Sequence, residues 1–234
     1  MPILFNDRKQ AGEQLADALE EYFNETKTDN FKLQSDKGTI NQSMIVLSIP
    51  RGGVILGDVI ASRFNCNLDM VISKKIGAPN NKELAIGAVM PGGTYFINEY
   101  FIELLSVPPQ YIQNEVQIQM KEIQRRLEEF RGSDTYDRAL EGKIVILIDD
   151  GIATGATIIA AAQWIKESEQ QCKKLVVAVP IAPGRDEIVD KLNQIADKVI
   201  ILHAPIDFDA VGQFYSEFDQ VTDEEVKAIM KKYE

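Results

Sequence analysis

The sequence predicts an α/β fold in which a mostly parallel, twisted sheet is flanked by helices. Five apolar runs of strand length recur along the 234 residues, and segments with helical periodicity separate them. Two of these runs lead directly into a loop of small residues and then into a helix. This order is typical of parallel sheets, because parallel neighbours are joined by helical crossover connections.

Composition and charge limit the classes of function. Hydrophobic residues make up 45% of the chain and charged residues 26%, which is ordinary for a soluble globular protein. No apolar run approaches the roughly 18 residues of a membrane span, and no basic-then-apolar signal opens the chain. Cys66 and Cys172 have no metal-ligand spacing and fit a reducing compartment. We therefore expect a cytoplasmic protein with no membrane partner.

The net charge of −11 argues against nucleic acid as the main partner. Phosphate backbones select basic surfaces, and a pI near 4.7 indicates the opposite balance. Any anionic ligand would have to be neutralised locally, by backbone N–H groups, a metal ion and a few well-placed cations, because bulk fields are screened beyond about 10 Å.

The chain opens with an amphipathic helix, predicted from Arg8 to Phe23 with Asp7 as its N-cap. Its apolar face consists of Ala11, Leu15, Ala18, Leu19 and Tyr22. Residues 24–43 are polar and rich in turn formers, which indicates a loop. We assign this opening segment a scaffolding role only.

The first core strand, residues 44–49, is continuously apolar and ends in P-R-G-G, before a helix from about Val54. Arg51 brings planar, permanently charged donors, and Gly52 and Gly53 allow the backbone to approach a ligand closely. We interpret this loop as an anion site. A Pro-Gly turn with a surface arginine is the alternative.

The next strand, residues 67–73, closes on two lysines. Lysines at a strand end are usually solvated, but this strand should end at the same sheet edge as Arg51, where positive charge would be useful. Because side chains alternate along a strand, only one of the two can point into the crevice. We favour Lys74 over Lys75.

Residues 77–83 are predicted to form a flexible loop that carries Lys82. Residues 84–90 and 93–98 then indicate a hairpin joined at a Pro-Gly-Gly turn. The following segment, residues 99–132, is mostly helical and breaks at two prolines.

The long helix in this segment carries a narrow stripe that is mostly apolar, with charged residues outside it. The stripe consists of Ile112, Val116, Gln119, Ile123, Arg126, Leu127 and Phe130. A seam between subunits and a strut within one chain both explain such a stripe. We favour the contact between subunits, and therefore a homodimer.

The strongest motif is D-D-G-I-A-T-G-A-T, which follows a buried strand at 143–148. Asp149 and Asp150 end the strand, a small-residue loop follows, and the pattern turns helical from Thr157. Backbone N–H groups of such a loop, a helix N-terminus and the hydroxyls of Thr154 and Thr157 suit a phosphate monoester.

The two carboxylates cannot bind that phosphate, because like charges repel. They can accept hydrogen bonds from vicinal hydroxyls, or hold Mg²⁺ in the polyphosphate complex of a ligand. A phosphate beside a diol describes a sugar phosphate. An ordinary βα turn is the alternative.

Two further buried strands, 174–179 and 198–202, complete the sheet, with a helix between them. His203 follows the last strand, and we favour a packing role for it over a catalytic one. The tail is dense in aromatic residues, namely Phe208, Phe214, Tyr215 and Phe218. The tail covers the core in one interpretation and forms a hood over an acceptor base in the other.

D-D-G-I-A-T-G-A-T resembles the phosphoribosyl pyrophosphate (PRPP) motif of type I phosphoribosyltransferases, and P-R-G-G matches the position of that family's pyrophosphate loop. The resemblance implies a type I phosphoribosyltransferase-like fold for 1–234 as one domain. It places a helical insertion at about 99–132 and a C-terminal hood at about 203–234. It also implies a cis peptide bond between Pro50 and Arg51.

The resemblance also assigns roles to residues. The 5′-phosphate would be held by Ala153, Thr154, Gly155, Ala156 and Thr157. Asp149 and Asp150 would hold the ribose hydroxyls and contact Mg²⁺ indirectly, through the PRPP–Mg complex. Arg51 and Lys74 would stabilise the departing pyrophosphate. The remaining substrate-binding residues would be Gly52, Gly53, Lys75 and Lys82, the last on a loop that closes over the site.

The implied reaction transfers the phosphoribosyl group of PRPP to a nitrogen heterocycle, a purine or a pyrimidine-like base, as in nucleotide salvage. Ala153 occupies the position at which hypoxanthine-type members carry an aspartate base, so this loop offers no general base. A non-catalytic module that senses PRPP or a nucleotide is the alternative. A phosphosugar hydrolase is a weaker one.

Overall fold

A computed structural model describes residues 3–26, 40–136, 140–168, 171–184 and 186–234. The helices are α1 (Arg8–Glu25), α2 (Gly52–Phe64), α3 (Glu99–Leu104), α4 (Pro109–Arg131), α5 (Ala156–Glu167), α6 (Asp186–Ile195) and α7 (Asp223–Met230). The strands are β1 (Asn41–Ser48), β2 (Cys66–Met70), β3 (Lys74–Ala78), β4 (Asn81–Val89), β5 (Tyr95–Ile97), β6 (Ile144–Ile148), β7 (Lys174–Ile181) and β8 (Lys198–His203). Single 3₁₀ turns lie at Pro91–Gly93 and Val211–Phe214.

The main sheet has five parallel strands in the order β2-β1-β6-β7-β8. All five correspond to the apolar runs of the sequence, so the predicted α/β fold with a mostly parallel sheet is confirmed. Every residue of β6 is buried, because helices cover both faces of the sheet, and this explains why its sequence does not alternate.

The connections reverse direction between β1 and β6. The chain passes from β1 to β2 on one side of this pair, and from β6 to β7 and β8 on the other. Right-handed crossovers therefore place α2 and α5 on opposite faces of the sheet. Such a switch point opens a crevice at the carboxyl ends of the two strands, where α/β proteins bind ligands.

The second sheet, β3-β4-β5, is antiparallel and corrects one prediction. Most of residues 77–83, expected as a flexible loop, belong to the β3–β4 hairpin, and Lys74 opens β3 instead of closing the preceding strand. Ile76 and Ala78 are buried, and the loop-like composition comes from Gly77 within β3 and from the Pro79–Asn80 turn. The predicted hairpin of 84–90 with 93–98 is confirmed as the β4–β5 pair.

The helical segment at 99–132 is confirmed as α3 and α4, with the break before Pro109. The apolar positions of the α4 stripe are buried within the chain, where α4 packs on β3, the 91–93 turn and α7. The stripe therefore forms an intramolecular strut. Its apolar side chains pack within the chain, so the stripe no longer supports a contact between subunits. Among the described residues, no helix is both long and apolar enough to span a membrane.

The tail packs onto the start of the chain beside the carboxyl end of the sheet. The backbone N–H groups of Leu4 and Phe5 donate to the carbonyl of Phe214, at 2.9 and 3.0 Å. Phe214 and Tyr215 are buried, as expected for core cover. The His203 ring meets the Phe5 ring edge to face, with 5.6 Å between centroids, so the packing role favoured for the histidine agrees with the structure.

Candidate active site

Two loops meet at the switch point of the main sheet. Ser48 at the end of β1 lies opposite Ile148 at the end of β6, so P-R-G-G and the acidic pair leave neighbouring strands side by side. A Cβ built on Gly52 would overlap Oδ2 of Asp150, and one built on Gly53 would lie 3.0 Å from the carbonyl oxygen of Ile148. The two loops are in direct contact, and glycine is required for it.

The peptide bond between Pro50 and Arg51 is cis, as predicted. The guanidinium of Arg51 lies at the rim of the crevice, where Nη1 is 3.3 Å from Oδ1 of Asp223 in the first turn of α7. About a third of the Arg51 side chain is exposed (31%), so it can turn to an anionic ligand.

The two aspartates of the pair have different environments. Oδ1 of Asp149 accepts the backbone N–H of Asp150 at 2.8 Å. Burial, with the negative charge of Asp150 as a second cause, raises the pKa of Asp149 well above its ordinary value. Oδ2 of Asp150 accepts a hydrogen bond from Nε of Arg8 at 2.7 Å.

The backbone of Asp150 is anchored as well. Its carbonyl oxygen accepts a hydrogen bond of 2.6 Å from the hydroxyl of Tyr215 in the tail. Burial raises the pKa of Tyr215 far above its ordinary value, which keeps the hydroxyl protonated and able to donate. A Cβ on Gly151 would overlap the side chain of Val211, so the tail also packs closely against the residue that follows.

The phosphate-type loop precedes α5. Within residues 153–157, Gly155 is the buried position, and its φ of 77° is one that residues with a side chain rarely adopt. Four of its predicted binding residues are exposed: Ala153, Thr154, Ala156 and Thr157. No side-chain cap hydrogen bond is found at the start of α5 among the described residues, which leaves its first N–H groups available to a ligand.

The lysines of the second sheet make their described contacts away from the acidic pair. Nζ of Lys74 lies 3.6 Å from Glu122 of α4, and burial lowers the pKa of Lys74. Lys75 is exposed and pairs with Glu83 at 2.8 Å. These positive charges therefore balance carboxylates of the hairpin and α4 in this conformation.

Lys82 has two partners on α4. Its ammonium donates to the buried carboxylate of Glu115 and, at 2.6 Å, to the hydroxyl of Tyr111. That hydroxyl donates in turn to the carbonyl of Gly77, which fastens the hairpin to α4. The contacts of Lys82 hold it against the helix, so a role on a ligand would require these bonds to open.

Arg8 is the residue of this site that sequence reasoning missed. Its guanidinium donates to Asp150 through Nε and to the carbonyl of Asp219 through Nη1, at 2.7 and 2.8 Å, and it stacks over the ring of Phe218. One local signal could have indicated it. Arg8 places a positive charge in the first turn of α1, where the helix dipole disfavours cations. That turn has no acidic residue to offset the charge, so the arginine is expected to have a partner elsewhere.

A family model for the phosphoribosyl transferase domain matches residues 9–210. Two proteins from strains of Mycobacterium tuberculosis, MT0597 and Rv0571c, are each 36% identical to the chain over 230 residues. Their names place them provisionally among the phosphoribosyl transferases. The match covers 98% of this chain and 47% of each of the two proteins, so the chain spans about half the length of the curated relatives it matches.

The comparison with solved structures finds a similar fold along the whole chain. The crystal structure of TT1426 from Thermus thermophilus superposes with a TM-score of 0.75 at 35% sequence identity. The superposition covers 100% of this chain and 99% of the other. The insertion and the tail therefore belong to a fold that this relative shares.

Proposed function

The chain belongs to the phosphoribosyl transferase domain family, and from this premise we propose a phosphoribosyltransferase that uses PRPP. It moves the 5-phosphoribosyl group to a ring nitrogen of a nucleobase-like acceptor and releases pyrophosphate. The observation that carries the proposal is the contact of Gly52 with Asp150, which brings the two loops together. The names of the M. tuberculosis relatives support the reaction class.

PRPP has a phosphate at one end of its ribose and a pyrophosphate at the other. The loop at 153–157 and the uncapped start of α5 suit the 5′-phosphate. P-R-G-G, with the exposed part of Arg51, suits the pyrophosphate. Asp150 lies between the two loops, where its carboxylate can accept hydrogen bonds from the ribose hydroxyls.

In the proposed reaction the bond from C1 of the ribose to the pyrophosphate oxygen breaks, and a bond from C1 to the acceptor nitrogen forms with inversion. The acceptor nitrogen loses its proton, and Ala153 cannot take it, so the acceptor must release it to another group or to water. Arg51 stabilises the leaving pyrophosphate, and Lys74 does so once it leaves Glu122. Positioning and electrostatics supply most of the acceleration.

Mg²⁺, when bound with PRPP, supplies positive charge that offsets the charge of the pyrophosphate. Asp149 and Asp150 fit an indirect role toward it. Oδ1 of Asp149 accepts the Asp150 N–H and Oδ2 of Asp150 accepts a hydrogen bond from Arg8, so both carboxyls are held beside the proposed ribose position, within reach of metal-bound water. No group of three His, Cys, Asp or Glu with metal-site geometry occurs among the described residues, and this favours a metal held mainly by the phosphates of the ligand.

The wider setting belongs to the same proposal. Residues 1–234 act as one catalytic unit, with the tail as the hood beside the acceptor. We propose a cytoplasmic enzyme of nucleotide salvage that works as a homodimer, although its subunit contact would lie outside the buried stripe of α4. The net charge of −11 is consistent with small-molecule partners and opposes nucleic acid.

A pyrophosphate-release assay tests the proposal. The protein is incubated with PRPP and Mg²⁺ and with a panel of purines, pyrimidines and other nitrogen heterocycles. Release that depends on one acceptor class supports transfer, and Asp150→Asn should then lower turnover at least a hundredfold without unfolding the protein. Wild-type turnover in Asp150→Asn would contradict the assignment of the ribose site.

Two other outcomes identify the alternatives. Tight PRPP binding without release for any acceptor would indicate a sensing module. The ion pairs that engage Lys74, Lys75 and Lys82 favour this second function, because they leave fewer cations for a departing pyrophosphate. Release with water alone would indicate a phosphosugar hydrolase.

A further inference from the structure

Arg8 connects the acidic pair to the tail. Its side chain is 12% exposed, and the guanidinium contacts Oδ2 of Asp150, the carbonyl of Asp219 and the face of Phe218. Cζ of Arg8 lies 3.8 Å from the centroid of the Phe218 ring, within the range of a cation–π contact. One buried cation therefore joins α1, the loop after β6 and the tail.

The helix does not explain this arginine. A cation in the first turn opposes the helix dipole, and Asp7 already supplies the N-cap by accepting the N–H of Gln10 at 2.8 Å. Arg63 offers a contrast, because it pairs with Asp17 and Glu20 of α1 at the exposed surface. The environment of Arg8 is thus specific to the crevice.

The contact with Asp150 is selective for one oxygen. Arg8 binds Oδ2, the oxygen that also lies against Gly52 of the P-R-G-G loop. The Asp150 carboxylate is therefore held through Oδ2, between Arg8 and Gly52.

We propose that Arg8 is a positioning residue of the ribose site, which fixes the Asp150 carboxylate in the orientation in which it accepts a ribose hydroxyl. This inference rests on the proposed function. A charge-assisted bond of this kind is shorter and stronger than a neutral one, and a fixed carboxylate loses less freedom when the ligand binds. Arg8 acts through Asp150 and does not touch the ligand.

The test is isothermal titration calorimetry with three ligands, each with Mg²⁺: PRPP, ribose 5-phosphate and inorganic pyrophosphate. Arg8→Met keeps the length of the side chain and removes the guanidinium, and Arg63→Met is the matched control on the surface. Arg8→Lys keeps a charge and serves as the second variant if Arg8→Met does not fold.

We expect Arg8→Met to weaken PRPP and ribose 5-phosphate roughly tenfold or more, the usual size for a lost hydrogen bond to a charged group. Pyrophosphate, which has no ribose, should bind as it does to the wild type. Arg8→Lys should show the same selective loss at a smaller size, and Arg63→Met should change none of the three.

An equal loss for all three ligands would show that Arg8 only supports the fold, and no loss would show that Asp150 needs no positioning. Either result overturns this inference and leaves the proposed function standing, because the wild type would still bind PRPP. A wild type that binds neither PRPP nor ribose 5-phosphate would overturn both.

Discussion

The hydroxyl of Tyr215 donates a 2.6 Å hydrogen bond to the carbonyl of Asp150. Tyr215 is buried, so water cannot replace its hydroxyl as the donor to this carbonyl. We predict that Tyr215→Phe lowers the free energy of unfolding by about 1–3 kcal/mol, because a buried carbonyl loses its partner. Thermal unfolding followed by circular dichroism measures the change.

The matched control for that variant is Tyr95→Phe, which removes the hydroxyl of an exposed tyrosine (44%). It should leave the melting temperature within the error of the wild type. Equal melting temperatures for Tyr215→Phe and the wild type would mean that this hydrogen bond contributes nothing to the stability of the fold.

The close contact of the two loops leads to a prediction for Gly52. A side chain there would overlap the Asp150 carboxylate, so Gly52→Ala should displace it and weaken PRPP binding by about tenfold, the size expected for one lost hydrogen bond to a charged group. Gly132→Asn is the control, because residue 132 has open space around it and asparagine tolerates a positive φ. Wild-type affinity in Gly52→Ala would refute the close approach of the loops.

The ion pair of Lys82 with Glu115 leads to a prediction in which a substitution raises ligand affinity. If Lys82 serves PRPP, its carboxylate partner on α4 competes with the ligand. Glu115→Gln should then raise PRPP affinity several-fold and increase amide hydrogen exchange in the β3–β4 hairpin. Asp17→Asn, which alters a surface pair, should change neither quantity. A lower affinity in Glu115→Gln would mean that the pair holds the hairpin in its binding position.

Cys66 provides a probe of unfolding. Burial raises its pKa to about 12, so almost none of this thiol is ionised at pH 8. In Cys172→Ser, we predict that an aromatic disulfide reagent labels Cys66 only when the protein unfolds, at the unfolding rate seen by fluorescence. Labelling within seconds in native buffer would contradict the burial of this strand. Cys66→Ser, which retains the partly exposed Cys172, serves as the comparison.

The main sheet and the phosphate-type loops were predictable because their signals are local. A strand covered on both faces must be apolar throughout, and a loop that packs closely against another loop needs glycine at fixed positions. The β3–β4 hairpin was missed because Gly77, Pro79 and Asn80 resemble a loop. Its strands are stabilised by pairing with one another and by packing on α4, and neither is written in the local composition.

The contact of Arg8 with Asp150 was missed for a different reason. The two residues are 142 positions apart, and no periodicity of either segment indicates the other. The lysines are a similar case, since their direction depends on the carboxylates that α4 presents to them. The charge of these groups could be predicted from the sequence, but their partners depend on tertiary packing.

The pairing of β1 with β6 has a consequence for how the protein acquires its binding capacity. These neighbours come from distant parts of the chain, so closing the intervening segment costs conformational entropy before the contacts form. Strand pairs of this kind form slowly. A growing or partly folded chain would therefore carry both loops without the assembled crevice in which we propose that PRPP binds. Ligand binding would require the completed fold and, by mass action, would shift the population toward the folded state.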